Sequence, residues 1–390
     1  MRILIYTVEF RPMPGGMSQY STDIAHELVK QGHDVEVITP HEPGDAVYDA
    51  TTKLPITRIN PRFLFRELSA THLIAKRLVK GQTDLVMTHM WYPCGIVPWF
   101  LSWVLRIRYT VTAHGVEVMD STSTMVKRIK KLLRWVRISI FNRSICTYAV
   151  SNFTRDILVR DGVMASKVFF VPNGVYPKSF SPMDKGKAKR HLGLNPKRKV
   201  ILTVSRLDDY KGHDMVIKSL PRLKELVKEP FSYAIVGDGP YRGALQNLTE
   251  DLGLDEEVLF KGFVKNEDLT HWYGAADAFI MASREITERP DVEGFGISFV
   301  EAQSTGVPTI GGNSGGIPDA VHDGKTGLLV DPLDPKDIAD KLASLLNDTS
   351  FAKSLVRQAH QRIKRELTWP HVVREMLACI DKRLSLMKKN

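Results

Sequence analysis

The sequence predicts an α/β protein made of two doubly wound, Rossmann-like domains. The first observation is length: a single hydrophobic core usually stops growing near about 250–300 residues, and this chain has 390. The second is an alternation of short β-branched runs with longer helical patterns. The third is that the predicted strands are almost continuously apolar, as in parallel sheets that helices cover on both faces.

In the first half, helical patterns separate short apolar runs, which is the order of a doubly wound sheet. The predicted strands are Arg2–Val8, Asp34–Thr39, Leu85–His89 and Tyr109–Ala113, and the helices between them include Ser18–Lys30 and Ile96–Leu105.

The second half repeats this order. Its predicted strands are Lys199–Val204, Ser232–Val236, Val258–Lys261, Ala278–Met281 and Pro308–Gly311, with helices Met215–Glu225, Tyr241–Leu252 and Pro335–Asn347. Pro172 and Gly174 punctuate the chain between the halves. The predicted domains are therefore 1–172 and 173–369.

Composition favours a cytoplasmic protein that does not cross a membrane. The three cysteines, Cys94, Cys146 and Cys379, are far apart and fit neither a zinc site nor a disulfide framework. The longest apolar run, Gly95–Leu105, is shorter than the ~20 residues that span a bilayer.

Positive charge is concentrated in the first half. The net charge is +10, and residues 76–143 contain 12 basic residues against 3 acidic ones. Such a patch attracts phosphate groups, either of nucleic acid or of lipid headgroups. Because aromatic residues are not interleaved with the cations and no nucleic-acid module is recognisable, a nucleic-acid partner is not expected.

The segment around two glutamates predicts an anion site. Gly294–Gly296 opens a helix between Glu293 and Glu301, and unpaired amides at a helix start bind phosphates. Glu301 is suited to ribose hydroxyls and Glu293 to a sugar ring. Taken alone, such a pair is more often two solvated glutamates beside a buried helix.

Two cations follow a predicted strand of the same half. Arg206 and Lys211 come just after Lys199–Val204 and could reach the same diphosphate, Arg by bidentate bonding and Lys as a point charge. Gly237 comes at the end of the next predicted strand. Gly262–Phe263 follows the strand Val258–Lys261 and could form one wall of a nucleobase pocket. Each signal alone is weak, since surface cations usually have no such role.

Together and in this order, these motifs resemble the donor half of a family-4 glycosyltransferase of the GT-B fold. The resemblance rests on Arg206 and Lys211, the Gly237–Gly239 loop, Gly262–Phe263, Ala275–Asp277 and the Glu293/Glu301 pair, and it covers nearly the whole chain. Around Asp291–Ile297 and Val300–Gln303 the chain is similar to bacterial mannosyltransferases that modify phosphatidylinositol mannosides.

The resemblance implies two domains facing a central cleft, with a last helix, 370–390, that crosses back to the first domain. It implies a nucleotide-sugar co-substrate, no cofactor and no metal, because Arg, Lys and a helix terminus meet the diphosphate charge. The donor-binding residues would be Gly15, Gly16, Arg206, Lys211, Gly237, Gly262, Phe263, Glu293, Gly294, Phe295, Gly296, Ile297 and Glu301. The catalytic residues would be His114, Glu293, Arg206 and Lys211.

The acceptor end is expected in the first half. Gly15 and Gly16 open a helix and, by the resemblance, line the cleft, where a plain tight turn is the alternative; Gln19 and Tyr20 follow them as candidate acceptor contacts. His114 comes after a strand and is expected to line the sugar site without acting as a simple general base.

Residues 122–144 predict an amphipathic helix at a membrane surface. Its predicted contacts with an anionic membrane are Lys127, Arg128, Lys130, Lys131, Arg134 and Trp135. At about 100° per residue, Leu132 and Leu133 fall on the apolar side, which is expected to face the core, and Arg137 falls on the cationic side. Trp135 also falls among the cations, as in a membrane-surface helix. The alternative is a solvated cationic helix packed on its own domain.

The sequence thus predicts a retaining transferase that moves a hexose from a nucleotide sugar to a lipid-linked or glycolipid acceptor at the cytoplasmic membrane surface. GDP-mannose is the favoured donor. A UDP-hexose-dependent transferase, a nucleotide-sugar epimerase of the same fold without a lipid acceptor, and an inactive lipid-binding scaffold remain open.

Overall fold

The structure, a computed structural model, describes residues 1–105, 107–119, 127–286, 289 and 291–389. The chain divides into two compact units. Unit 1 comprises Met1–Asn173 and Trp369–Asn390, and unit 2 comprises Gly174–Thr368.

Unit 1 is built on a seven-stranded parallel sheet with the order β3-β2-β1-β4-β5-β6-β7. Its strands are β1 (Arg2–Tyr6), β2 (Asp34–Pro40), β3 (Ile56–Ile59), β4 (Leu85–Thr88), β5 (Tyr109–Ala113), β6 (Cys146–Ala149) and β7 (Val168–Phe170). Its helices are α1 (Gly16–Lys30), α2 (Asp45–Asp49), α3 (Phe63–Val79), α4 (Ile96–Leu101), α5 (Lys127–Arg143) and α6 (Asn152–Asp161), with short helical turns at Trp91–Gly95, Val116–Val118 and Ala165–Lys167.

Unit 2 has a six-stranded parallel sheet with the order β10-β9-β8-β11-β12-β13. Its strands are β8 (Lys199–Val204), β9 (Phe231–Val236), β10 (Val258–Gly262), β11 (Ala278–Met281), β12 (Thr309–Gly312) and β13 (Leu328–Val330). Its helices are α7 (Lys185–His191), α8 (His213–Leu226), α9 (Arg242–Asp251), α10 (Asn266–Ala275), α11 (Ile297–Thr305), α12 (Ile317–Ala320), α13 (Pro335–Asn347) and α14 (Thr349–Glu366), with a short turn at Asp209–Lys211.

The predicted fold class is confirmed, and each predicted strand is present. Four strands were not predicted: β3, β6, β7 and β13. Three of them are sheet edges or short strands, where a brief or alternating pattern gives little signal. Helix α4 ends at Leu101, four residues before the predicted end, where the Ser102 hydroxyl donates to the Trp99 carbonyl and so competes with the helical bonding.

The last helix, α15 (Trp369–Lys389), packs within unit 1, as predicted. Its buried Trp369 lies edge-on to Tyr20, with ring centroids 5.7 Å apart. The Tyr148 hydroxyl of β6 donates to the Met376 carbonyl at 2.9 Å. These contacts make α15 part of the first core although it is encoded at the end of the chain.

Each sheet has a point where the strand order reverses direction, between β1 and β4 in unit 1 and between β8 and β11 in unit 2. The loops at the carboxyl ends of these neighbouring strands leave in opposite directions. Ligands of doubly wound sheets bind in the crevice that this leaves. Candidate site residues are therefore those that follow β1, β4, β8 and β11.

Across the described ranges, no helix combines the length and the apolar character that crossing a bilayer requires.

Candidate active site

The loop after β8 is held in place by glycine contacts with its neighbours. A Cβ atom on Gly212, whose φ is +76°, would lie 1.9 Å from the Ala282 carbonyl oxygen at the end of β11. A Cβ on Gly237, at φ +136°, would lie 1.9 Å from the Ser205 carbonyl oxygen. Both positions need a residue without a side chain, so that three loops can pack backbone to backbone at one sheet edge.

This packing brings Lys211 and Glu293 together. Lys211 follows β8, Glu293 follows β11, and the Lys211 ammonium donates to Glu293 Oε2 at 2.6 Å. The side chains are 11% and 15% exposed. Burial lowers the pKa of Lys211, but the adjacent Glu293 carboxylate and the Tyr210 hydroxyl outweigh it, so its pKa is raised and the group stays cationic.

Helix α11 begins at Ile297, four residues after Glu293, and Gly296 precedes it at φ +92°. Among the described residues, no side chain caps its first turn, so its first backbone amides are available to a ligand. Phe295 is buried, so its ring belongs to the core and only its backbone is available to a ligand, while Gly294 and Ile297 are half-buried. The helix start therefore offers partial positive charge beside Lys211.

Glu301 lies further along α11 and is held by a buried tyrosine. The Tyr273 hydroxyl donates to Glu301 Oε2 at 2.7 Å. Burial, together with the negative charge of Glu301, raises the pKa of Tyr273 well above its ordinary value. The tyrosine stays protonated and fixes the direction in which the carboxylate points.

Arg206 and Phe263 are the exposed members of the candidate donor residues in unit 2. Arg206 is directed at Asp208, to whose two carboxylate oxygens it donates at 2.8 and 2.9 Å, and its side chain is 75% exposed. Phe263 is 73% exposed and follows Gly262, whose carbonyl accepts the Gly237 amide at 2.8 Å. Arg206 must exchange Asp208 for phosphate if it is to contact a donor.

Ala275–Asp277 lies at the opposite, amino-terminal edge of the same sheet. Asp277 pairs with Lys185 at 2.7 Å and Lys189 at 3.0 Å, and accepts the Val200 amide at 2.8 Å. This part of the sequence motif therefore stabilises the fold.

A buried hydrogen-bond chain supports the Lys211 loop, and it was not predicted. His213 is hydrogen-bonded to Ser205 Oγ at 3.0 Å and to the Tyr233 hydroxyl at 3.2 Å, and Tyr233 bonds Thr203 at 2.9 Å. Burial, and then the charge of Lys211, lowers the pKa of His213 to about 4. Its position at the start of a helix after a strand was the available sequence signal.

The neutral state of His213 predicts a pH dependence of stability. Because the native pKa lies below the ordinary value of about 6.5, the unfolded chain binds a proton that the native protein excludes between pH 6.5 and 4. The free energy of unfolding should therefore fall as the pH is lowered. The slope for the wild type should exceed the slope for His213→Gln by ~1.4 kcal/mol per pH unit. Urea unfolding at pH 6.0, 5.0 and 4.5 measures this, and parallel curves would contradict it.

In unit 1, the loop after β5 presents His114. Its backbone amide donates to Glu117 Oε1 at 2.5 Å, and its ring lies edge-on to Tyr20 at 4.8 Å. Within the described ranges, His114 Nε2 is buried and has no hydrogen-bond partner. Burial lowers the pKa of His114 to about 4 and raises that of Glu117 to about 7. A neutral imidazole with a free nitrogen can bond a ligand hydroxyl.

His89, after β4, is a second buried histidine that the sequence did not single out. Its Nδ1 is 2.7 Å from Ser21 Oγ, and in the described part of the chain its Nε2 has no partner. Burial and the neighbouring His114 lower its pKa to about 3. Its ring lies edge-on to the ring of Tyr20, with the two centroids 5.1 Å apart. Its place after a strand next to the order reversal was the signal that could have found it.

Gly15, Gly16, Gln19 and Tyr20 lie at the start of α1. Gly15, at φ +127°, precedes the helix, and no side chain caps it. Gln19 donates to Asp23 at 2.6 Å and accepts from Arg11. Tyr20 is only 1% exposed, so it cannot touch an acceptor or a membrane without leaving the core. The prediction that this side chain contacts the acceptor is therefore wrong. Its ring instead packs against that of His114.

Helix α5 differs from the predicted amphipathic arrangement. The side chains of Lys127, Arg128, Lys130 and Lys131 lie outside the described part of the chain, as do the predicted cap residues 122–124. Arg134 pairs with Asp161 at 3.1 Å, and the buried Arg137 contacts the same carboxylate. Leu132 and Leu133, predicted to face the core, are exposed together with Trp135, because Asp161 of α6 draws Arg137 inwards.

Comparisons with known proteins follow the same two units. Residues 14–179 match the profile described as Glycosyltransferase Family 4, and residues 184–362 match Glycosyl transferases group 1. A GDP-mannose-dependent alpha-(1-6)-phosphatidylinositol monomannoside mannosyltransferase of Mycolicibacterium smegmatis is 32% identical over 361 residues, which cover 90% of this chain and 91% of that protein. The chain belongs to glycosyltransferase family 4.

Solved structures agree with this glycosyltransferase along its whole length. Sucrose-phosphate synthase from Thermosynechococcus elongatus superposes with a TM-score of 0.80 at 20% identity, over 99% of this chain and 100% of that one. Anabaena HepE in complex with UDP and glucose gives 0.79 at 19% identity, over 98% and 100%. The GT-B fold is thereby confirmed.

The contacts of Lys211 and the start of α11 can be related to the chemistry of glycosyl transfer. Transfer from a nucleotide sugar releases a nucleoside diphosphate, whose developing charge must be stabilised in the transition state. In unit 2, the ammonium of Lys211 is bonded by Glu293, which lies four residues before the start of α11, and Arg206 lies in the loop that ends at Lys211. This edge of the sheet concentrates preorganised positive charge.

Proposed function

We propose that this glycosyltransferase transfers mannose from GDP-mannose to a lipid-linked or glycolipid acceptor at the cytoplasmic surface of a membrane, with retention of configuration. The observation that carries the proposal is the 32% identity over 90% of the chain with an enzyme whose name specifies GDP-mannose and phosphatidylinositol monomannoside. Similarity of this kind extends through both units and not only through the donor half.

In the proposed donor site, Lys211, Arg206 and the first amides of α11 hold the diphosphate. Together they supply two full charges and a helix terminus, so the leaving group is stabilised without a metal ion. Gly237 and Gly262 shape the floor, the exposed Phe263 ring stacks on the nucleobase, and Glu301, oriented by Tyr273, accepts the ribose hydroxyls.

Glu293 accepts hydrogen bonds from hydroxyls of the transferred sugar and, at the same time, from the Lys211 ammonium. A retaining transfer uses either a carboxylate nucleophile or a front-face path, in which the leaving phosphate takes the acceptor proton. We favour the front-face path because Glu293 is committed to Lys211 at 2.6 Å. His114, neutral through its lowered pKa, donates or accepts a hydrogen bond with a sugar hydroxyl.

Nucleotide screening tests the donor. At 100 times its Kd, a ligand stabilises the native state by ~2.7 kcal/mol, so we expect GDP to raise the melting temperature clearly more than UDP, with EDTA present. GDP-mannose should then be consumed only when phosphatidylinositol mannoside vesicles are added. Stabilisation by UDP alone would indicate a UDP-hexose donor, and conversion of a nucleotide sugar without any acceptor would indicate an epimerase.

The membrane part of the proposal rests on α5 and its surroundings. Leu132, Leu133 and Trp135 are exposed within one turn of α5, and Trp135 is 57% exposed. At the end of α4, Trp103 and Val104 are exposed as well.

Arg143 of α5 packs against the second group, since it donates to the Ser102 carbonyl at 2.8 Å and lies 4.1 Å from the centroid of the Trp103 ring. Exposed apolar side chains beside cations are typical of surfaces that bind at a lipid interface.

Vesicle binding tests this surface. The double variant Leu132→Ser/Trp135→Ser should bind phosphatidylglycerol vesicles at least about tenfold more weakly, because it removes apolar area that enters the interface. The control is Leu333→Ser, an equally exposed leucine of unit 2. Sedimentation of both with vesicles measures the effect, and equal binding by the two would refute the proposed surface.

A further inference from the structure

A cavity lies in unit 2, at the edge of the sheet opposite to the donor residues. Its volume is about 680 Å³. It is bordered by Lys199 at the start of β8, Asp277 just before β11 and the Gly306–Pro308 segment just before β12. Lys211 and Glu293 instead follow the carboxyl ends of β8 and β11. The cavity is therefore separate from the proposed donor site.

One face of helix α14 lines this cavity with lysine, arginine and histidine side chains. Lys353, Arg357, His360 and Lys364 recur at intervals of four, three and four residues, which places them along a single stripe. Within the described ranges, Lys353, Arg357 and Lys364 form no ion pair. Fixed positive charge at a concave surface attracts anions and concentrates them.

The other two lysines of the cavity are already neutralised. Lys185 pairs with Asp277 at 2.7 Å, and Lys199 pairs with Glu229 at 2.9 Å. The charge that remains available to a ligand thus belongs to α14. This arrangement directs an anion to the helix side of the cavity.

His360 provides a second, independent observation. Its Nε2 is buried and, in the part of the chain that the structure describes, has no hydrogen-bond partner. Its ring faces Gly306, where a Cβ would lie 3.8 Å from His360 Cε1. Buried polar atoms are normally hydrogen-bonded, so an unpartnered one in a cavity wall indicates a ligand position.

Part of the remaining lining is apolar, although Thr349 and Gln361 also border the cavity. Leu345 and Leu346 of α13, Val356 of α14 and Pro308 contribute carbon surface. Basic side chains and carbon surface in one cavity suit a molecule that carries both a phosphate and a carbon skeleton.

We propose that this cavity is a second anion site, which binds the phosphate group of an organic phosphate on Lys353, Arg357, His360 and Lys364. Two sources share this chemistry, a soluble phosphorylated molecule and a phospholipid headgroup. Occupation of the site would couple phosphate availability, or contact with a lipid surface, to the stability of the unit that binds the donor.

Calorimetric titration with inorganic pyrophosphate tests the proposal. The wild type should bind at two sites per chain, Lys211→Met should retain one, and Lys353→Ala/Arg357→Ala/Lys364→Ala should retain the other. In the last variant, the cavity site should weaken at least tenfold while GDP binding stays unchanged. The control is Lys325→Ala/Lys336→Ala/Lys341→Ala, which removes the same charge from unit 2 outside the cavity.

A second experiment, with phosphatidylglycerol vesicles, distinguishes a soluble phosphate from a phospholipid headgroup. If the α14 variant loses vesicle binding relative to the control variant, the ligand is a headgroup; if only pyrophosphate binding is lost, it is a soluble phosphate. A single pyrophosphate site that disappears in Lys211→Met, or an α14 variant that binds like its control in both arms, would overturn the proposal. Loss of GDP binding in Lys211→Met tests the donor site separately.

Discussion

Replacing Lys211 with methionine is expected to lower kcat/KM for glycosyl transfer by about 10²–10³-fold. The ammonium lies 2.6 Å from Glu293 Oε2 and beside the start of α11, where the diphosphate leaving group is proposed to bind. Removal of one preorganised group that stabilises transition-state charge typically costs this much, ~2.7–4 kcal/mol. Initial rates of mannose transfer from GDP-mannose measure the effect.

The control for this variant is a second buried lysine of the same unit. Lys189 is 6% exposed and bonds Asp277 at 3.0 Å, so Lys189→Met also leaves a carboxylate without one of its cations. It lies at the opposite edge of the sheet and should keep transfer within a few-fold of the wild type. An equal loss of activity in both variants, after correction for unfolded protein, would mean that Lys211 serves only stability.

A variant of Glu293 separates the effect of its negative charge from the effect of its side-chain shape. Glu293→Gln keeps the size of the side chain and removes the negative charge that raises the pKa of Lys211. If Glu293 also bonds the sugar, the variant should reduce kcat at saturating donor as well as raise KM. A change in KM alone would restrict Glu293 to positioning Lys211.

The strands and the donor motif were predictable because they depend on local sequence. A buried parallel strand is a continuous apolar run, and the order of Arg206, Lys211, Glu293 and Glu301 along the chain is enough to suggest a phosphate site. The strands that escaped prediction, such as β3 and β13, lie at sheet edges, where half-exposed residues blur the pattern.

Contacts between distant segments were not predictable. Nothing in the residues near Lys211 shows that its partner is Glu293, 82 positions later, or that Tyr273 holds Glu301. Tyr20 was misinterpreted for the same reason, since the rings that pack against it, His89, His114 and Trp369, are all distant from it in sequence. These pairings follow from strand order, which periodicity alone does not specify.

Helix α5 shows how one ion pair changes a predicted face. An ideal amphipathic helix would bury Leu133 and expose Arg137, and the opposite occurs. Asp161 accepts from both Arg134 and Arg137 and draws the second into the core. The exposed leucines that result make a more apolar surface than the helical pattern predicted, which strengthens the case for an interfacial role.

Gly237→Ala is expected to have the largest effect on stability and to reduce transfer by at least about 10²-fold. Gly237 is at φ +136°, and an added Cβ would lie 1.9 Å from the Ser205 carbonyl oxygen. The backbone must therefore move by about 1 Å, and a displacement of that size at a catalytic site can cost 10²-fold in rate. The residue before Arg206 and the loop that carries Lys211 would move with it.

The unfolding free energy should fall by at least ~2 kcal/mol, because a left-handed backbone conformation and a backbone clash are combined at one position. Gly243→Ala is the matched control: Gly243 is in α9, and its Cβ would meet no atom within 4 Å. That substitution should be stabilising by ~0.5–1 kcal/mol, since alanine is the better helix former. Urea unfolding together with transfer rates tests both, and wild-type activity in Gly237→Ala would show that the approach of this loop to Ser205 does not position the donor residues.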